Sequence, residues 1–240
     1  MTGAGVPATG DAADTAEIVD LLDAGAFLAR VVRLDPSALV RLRAVGSGQV
    51  ELWAWLPRSV LVSRLVDGRL GDSAGGRSPG AGPVGDVTVG AADLLQRLDA
   101  SREHGDTSVA LPTRRDTAWR GALPGQGPVT VLDTVPAAVV ERLVAAGEAA
   151  FRDAARSTPG ADPQTVGESL LDHESLHVSA GGTSVALPLG LLLGVARMGF
   201  LGADGLTVAV VGGWVRVEAR FGTAYRRRDD VSTPLLLSPR

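Results

Sequence analysis

Residues 175–200 read SLHVSAGGTSVALPLGLLLGVARMGF, and residues 201–221 continue LGADGLTVAVVGGWVRVEARF. Apolar and polar side chains alternate from Leu176 to Ala180, the chain turns at Gly181-Gly182, and a second extended run ends at Leu187-Pro188. Two such runs about a two-residue glycine turn predict a β-hairpin. The apolar stretch after Pro188 has no period of two and predicts a buried helix. A strand, the Gly212-Gly213 turn and another strand follow. Residues 175–221 therefore supply much of the core and set the class as α+β with antiparallel pairing.

Moving outward, Asp162-Pro163 starts a short helix running to about Leu171. Before it, Thr134 is a good N-cap and Pro136 sits in the first turn of a longer helix. Val140, Leu143, Val144 and Phe151 form one face of that helix, and Gly147 on the same face lets a neighbour pack closely. Val129–Leu132 enters it as a short strand after the Gly125–Pro128 turn.

The N-terminal part reads in the same terms. Asp14 and Glu17 suggest a capping box, with Ile18, Leu21, Leu22, Leu28 and Val32 at helical spacing up to Asp35-Pro36. Leu39–Val45 and the alternating Val50, Leu52, Ala54 and Leu56 predict a hairpin about Gly46-Ser47-Gly48. Arg58–Val66 reads as a short helix, residues 68–85 as a mobile loop rich in Gly, Ser and Pro, and Ala91–Leu98 as another helix. Thr107–Leu111 is a strand, with Thr117–Leu123 as its partner.

The expected architecture is thus two similar halves, 14–124 and 128–222, each helix, hairpin, helix, hairpin. The sheet is mostly antiparallel and covered by helices, with residues 1–13 disordered and 223–240 a tail. An internal duplication would set two sheets side by side or merge them into one. The hexapeptide Thr-Ser-Val-Ala-Leu-Pro occurs at both 107–112 and 183–188. It falls at non-equivalent points of the two halves, so it does not support the alignment.

Composition narrows the function. There is no cysteine, which excludes disulfides, thiol catalysis and zinc-cysteine sites. All 23 basic residues are arginine, there is no lysine or asparagine, and Ile18 is the one isoleucine. That bias points to a GC-rich genome, so the arginines say little about phosphate recognition. The net charge of −4 makes nucleic acid an unlikely partner. The N-terminus lacks the basic and apolar regions of a secretory leader, and the apolar run at 185–196 is too short to span a bilayer. The expectation is a soluble cytoplasmic protein with no membrane contact.

One motif carries chemistry. His173-Glu174-Ser175-Leu176-His177 matches His-Glu-x-x-His. On a helix, His173 and His177 would share a face and hold zinc, with Glu174 as general base. The sequence argues against that helix. Leu176, Val178 and Ala180 alternate into a turn, and on a strand the two histidines lie roughly 13 Å apart. No histidine follows His177 as a third ligand, and Ala180 and Thr183 stand where a metzincin has glycine and histidine. The preferred reading assigns no catalytic residue, no metal and no cofactor. The zinc hydrolase of His173, Glu174 and His177 is the alternative.

Weaker patterns resolve to structure. His104 sits in a polar turn. Gly71–Gly75 and Gly76–Gly80 both spell Gly-x-Ser-x-Gly, without the strand and helix that an elbow needs. Trp53 and Trp55 share a strand face opposite Leu52, Ala54 and Leu56; they are core, or else a partner surface. Arg226-Arg227-Arg228 with Asp229-Asp230 reads as a solvated tail.

Leu187-Pro188-Leu189-Gly190-Leu191 through Ala196-Arg197-Met198-Gly199-Phe200, with the Leu176-His177-Val178 strand, resembles a family of uncharacterised proteins from high-GC Gram-positive bacteria. The resemblance covers most of residues 15–222. It implies a two-part domain of unknown function and brings no catalytic residues. The functional expectation is a non-enzymatic module that binds an unknown protein partner or a second copy of itself.

Overall fold

The computed structural model describes residues 15–71, 86–157 and 163–228. The first half opens with strand β1 (Thr15–Ile18) and helix α1 (Leu21–Leu34). A meander follows: β2 (Leu39–Val45), β3 (Gln49–Leu56) and β4 (Val60–Leu70). Then come β5 (Asp86–Gly90), α2 (Ala91–His104) and the short β6 (Ser108–Ala110). The second half begins with β7 (Val129–Val135), α3 (Ala137–Ser157) and α4 (Pro163–Asp172). It continues with the hairpin β8 (Glu174–Ala180) and β9 (Thr183–Pro188), then α5 (Leu189–Arg197). It closes with a second meander, β10 (Leu206–Val211), β11 (Trp214–Ala219) and β12 (Gly222–Arg227).

The two meanders merge. The strand order is β5-β2-β3-β4-β12-β11-β10-β7, and every pairing in it is antiparallel. The join sets Leu61, Val62 and Ser63 of β4 opposite Tyr225, Ala224 and Thr223 of β12. The far end of β4 pairs with β1, which also carries β6. β8 and β9 form a separate two-stranded sheet. Of the two arrangements open to a duplicated sheet, the continuous one is found.

Packing explains why these residues adopt this layout. Helices cover one face of the sheet, where Phe27, Leu28, Leu42, Leu52, Val62, Leu191, Leu192, Val217 and Ala224 are all buried in one core. Burying a side chain of leucine size contributes roughly 1.5–3 kcal/mol. Gly147 does admit a close neighbour: a Cβ there would meet the Leu189 methyls at 2.6 and 2.7 Å, so α3 lies directly on α5. A smaller cluster of Trp53, Leu61, Val211, Trp214 and Tyr225 fills the opposite face at the join.

Several sequence expectations need correction. The N-terminal helix does not start at Asp14: Thr15–Ile18 is a strand, and the cap is Asp20, which accepts the Asp23 N–H at 2.9 Å. Arg58–Val66 is no helix. Residues 57–59 make a tight turn, with Arg58 and Ser59 at positive φ, and β4 begins at Val60. Val60, Leu61, Val62 and Ser63 are all buried because both faces of β4 are covered at the join. The period of two that marks a half-exposed strand is therefore absent. β4 also takes Gly68–Leu70 out of the expected 68–85 loop; residues 72–85 lie outside the described residues, as do 1–13 and most of both Gly-x-Ser-x-Gly matches. Thr117–Leu123 is not a strand. The expected tail at 223–240 is wrong at its start, since 222–227 is the strand that joins the halves; 229–240 lie outside the described residues. The helix–hairpin alternation fails as well: each half begins with a strand and contains one three-stranded meander.

Candidate interaction surface

The motif for zinc lies across a junction. α4 stops at Asp172. The His173 N–H reaches the Leu170 carbonyl at 3.3 Å, while the His173 carbonyl accepts the Leu189 N–H at 2.9 Å. From Glu174 the chain is extended, and His177 lies opposite Ala186 in the hairpin. A register shift between Glu174 and Leu176 brings Glu174 Oε2 to 3.0 Å from His177 Nε2, with both side chains more than half exposed. The helical face that a zincin centre needs is therefore broken between its two histidines. Among the described residues no three His, Cys, Asp or Glu side chains gather into a metal set. These residues do not fit a catalytic zinc. His104, the third histidine, ends α2 and contacts the Ala100 carbonyl through Nδ1.

The helix-free face of the sheet is the chemically distinctive region. Opposing residues of antiparallel strands share a face, so the pairings place Arg41, Trp53, Ser63, Thr223 and Glu218 in one row. Trp55, Leu61, Tyr225, Arg216 and Ala209 form the next. Trp53 packs on Tyr225 at 5.3 Å between ring centroids, and Trp55 on Trp214 at 6.2 Å. The Arg227 guanidinium sits 5.0 Å over Trp214. Trp53 is thus core, as the blander reading of the tryptophans expected, but in its own cluster on the helix-free side.

Polar groups bridge the join. Arg216 donates to Glu218 at 2.8 Å and approaches the Tyr225 hydroxyl at 3.4 Å. Burial pushes the Glu51 carboxyl above the usual carboxylate range, against the Ser63 hydroxyl, Arg43, the Trp53 indole and Arg216, which favour its charge. Burial likewise raises the Tyr225 hydroxyl, with Arg216 opposing. At the β5 edge, Arg41 grips the buried Asp86 through Nε and Nη2 at 3.1 and 2.9 Å, and Arg43 donates to the same carboxylate through Nη2 at 3.1 Å and Nε at 3.3 Å. These arginines are tied to a carboxylate within the fold.

The connection between the halves straps this face. Arg115 N–H donates to the Thr88 carbonyl, Asp116 Oδ1 accepts the Thr88 N–H, and Arg114 donates to the Asp86 carbonyl. Those bonds engage the β5 edge through residues 114–116, whereas within 117–123 the Ala118 and Trp119 N–H groups turn back to the Arg115 and Asp116 carbonyls, so no strand forms there. The chain must then reach β7 at the opposite edge, seven strand spacings or about 34 Å away. The strap crosses this face with Trp119 and Leu123 packed on the aromatic cluster and Gly121 against Trp55. Gly121, at φ +92, lies where a Cβ would come within 3.1 Å of the Trp55 ring. Sequence reading missed the strap because nothing local marks which surface a connection crosses.

Residues 11–121 match the model of a domain of unknown function (DUF8010), and residues 124–231 that of another (DUF8185). No curated protein matches the chain in sequence. Among solved structures, the chain is similar to the Caulobacter crescentus beta sliding clamp: 14% identity and a TM-score of 0.53 over 96% of this chain and 69% of that one. It is also similar to the Bartonella birtlesii sliding clamp, DNA polymerase III subunit beta, with 15% identity and a TM-score of 0.53 over 92% and 66%. The Helicobacter pylori beta clamp bound to a DNA ligase peptide gives 11%, 0.52, 92% and 66%. The chain spans about two thirds of the length of these subunits. At this identity the likeness is one of fold: mixed α and β, mostly antiparallel, in clamp-like repeated units.

Proposed function

We propose that this chain is a non-enzymatic interaction module that binds a protein partner or a second copy of itself. The observation that carries this reading is the single sheet formed by the two meanders. It makes both halves one platform, with helices on one side and an aromatic and arginine face on the other. The acidic and basic groups described above are engaged in pairwise contacts within the fold rather than converging on a reaction centre. The clamp-like fold adds support, since the Helicobacter pylori clamp is solved with a DNA ligase peptide and the Bartonella birtlesii clamp with griselimycin.

Nucleic acid is the disfavoured partner. The net charge is −4, and α3 interleaves three acids with three arginines instead of presenting a basic stripe. Among the described residues no helix is long and apolar enough to cross a membrane.

Quantitative affinity capture and native mass spectrometry of the full chain test the proposal. The expected result is a stoichiometric protein partner or a reversible oligomer, with no retardation of duplex DNA at low salt. Stoichiometric zinc that is lost on His177→Ala, together with hydrolytic turnover, would overturn it.

A further inference from the structure

The strap is held to the sheet by side chains rather than by backbone bonds. Its first N–H groups, those of Ala118 and Trp119, turn back to Arg115 and Asp116. Among the described residues, no backbone hydrogen bond joins 120–128 to the sheet. Trp119 and Leu123 lie half-buried on the aromatic cluster, and the Arg41 guanidinium sits 5.9 Å from the Trp119 ring centroid. The two anchors are four positions apart. Gly121, midway between them, passes Trp55 with φ at +92, a conformation that favours glycine.

The fit of the strap is incomplete at one atom. Trp55 Nε1 is buried and has no hydrogen-bond partner. A Cβ on Gly121 would lie 3.8 Å from it, so the strap covers this donor without giving it an acceptor. The Gly121 carbonyl is taken by the strap's own Trp119 indole, which donates to it at 3.1 Å. A buried donor left unpaired counts against the closed strap, and lifting the strap lets water satisfy it. Apolar contact alone therefore holds the cover down.

We infer that the strap fills, in cis, a groove that accepts an extended segment of a protein partner, with an aromatic and an aliphatic residue four positions apart and a small residue midway. The segment already seated there defines those requirements. One ring and one aliphatic side chain pack on the cluster, and no side chain fits against Trp55 between them. A partner segment supplies the same anchors and also brings a carbonyl to Trp55 Nε1, which the strap does not. The strap competes at the high effective concentration of a tethered ligand, so the groove is masked until a partner displaces it. This inference rests on the interaction-module reading and names the face and the partner's chemistry.

The test uses the full chain and a capped peptide with the sequence of residues 116–126, carrying Arg120→Gln so that trypsin spares it. The control peptide has both anchors, Trp119 and Leu123, replaced by alanine. By calorimetric titration, the chain with Trp119→Ala and Leu123→Ala should bind the peptide at least tenfold more tightly than the wild type and should not bind the control. In the wild type, saturating peptide should speed tryptic cleavage after the exposed Arg120, by lifting the strap. If the double variant loses its fold, that cleavage alone decides. Equal affinity of variant and wild type, binding of the control, no binding to the folded variant at millimolar peptide, or cleavage unmoved by peptide would each overturn the groove. If the groove fails while native mass spectrometry still shows a stoichiometric partner or an oligomer, the module reading stands; if neither is seen, the module reading fails.

Discussion

The first half places its complete meander early and its short piece, β6, last; the second half places its short hairpin early and its complete meander last. That inversion sets β4 and β12 side by side. Each meander is open on one edge, and each covers the other. The junction between halves is therefore a run of sheet with a buried residue on either face, not two domains touching through side chains. Such a junction should unfold together with what it joins, unlike the small polar contacts usual between domains in one chain.

The largest expected effect breaks that junction. Ala224 is wholly buried on the helix side of β12, opposite Val62. Ala224→Asp would place an unpaired charge there, at a cost of about 3–5 kcal/mol. For a chain of this size that lowers the melting temperature by about 6–20 °C. Calorimetry should show one transition before and after; two separate transitions would show that the halves are independent.

The repeated hexapeptide offers a sharper comparison, since sequence is held constant. Val109 and Leu111 in the first copy and Val185 and Leu187 in the second are all buried, so both copies keep the same alternation. The first makes a three-residue strand on β1 and passes into an irregular segment. The second makes six residues of hairpin and feeds straight into α5. Leu187 is fully enclosed and Leu111 is not quite. Within the usual range of about 2–5 kcal/mol for leucine truncation, Leu187→Ala should cost about 1 kcal/mol more than Leu111→Ala in urea unfolding. Equal losses would mean that the surrounding cover does not distinguish the copies.

A pair of helix glycines should differ in sign. Gly25 in α1 has open space around a Cβ, so Gly25→Ala stabilises by up to about 1 kcal/mol through helix propensity. Gly147 in α3 faces Leu189, so Gly147→Ala forces overpacking and destabilises by about 1–3 kcal/mol. Stabilisation by both would contradict the close approach of α3 to α5.

The smallest effect is a pH dependence at the join. Because Glu51 has a raised carboxyl in the folded chain, the stability it contributes is complete below the ordinary carboxylate pKa and is lost as pH rises through the folded value. Glu51→Gln should therefore gain on the wild type between pH 4 and pH 7, measured as the difference in melting temperature. A difference that stays flat across that range would show Glu51 is not buried as described.

Elements that bury one face were legible in the amino-acid pattern: β2, β3, the β8–β9 hairpin, α3 and α5 all follow from spacing, turn glycines and caps. The break of the His173–His177 motif was legible too, since alternation into Gly181-Gly182 opposes a helix. β4 was not, because burial on both faces erases its period. Neither was β12, whose polar Thr223, Tyr225, Arg226 and Arg227 read as solvated tail until β4 is placed beside them. Local sequence determines which backbone conformation a segment prefers and which of its sides is apolar. Which edge meets which and where the strap crosses depend on contacts between residues far apart in the chain, about 160 positions at the β4–β12 join, and only the assembled sheet decides them.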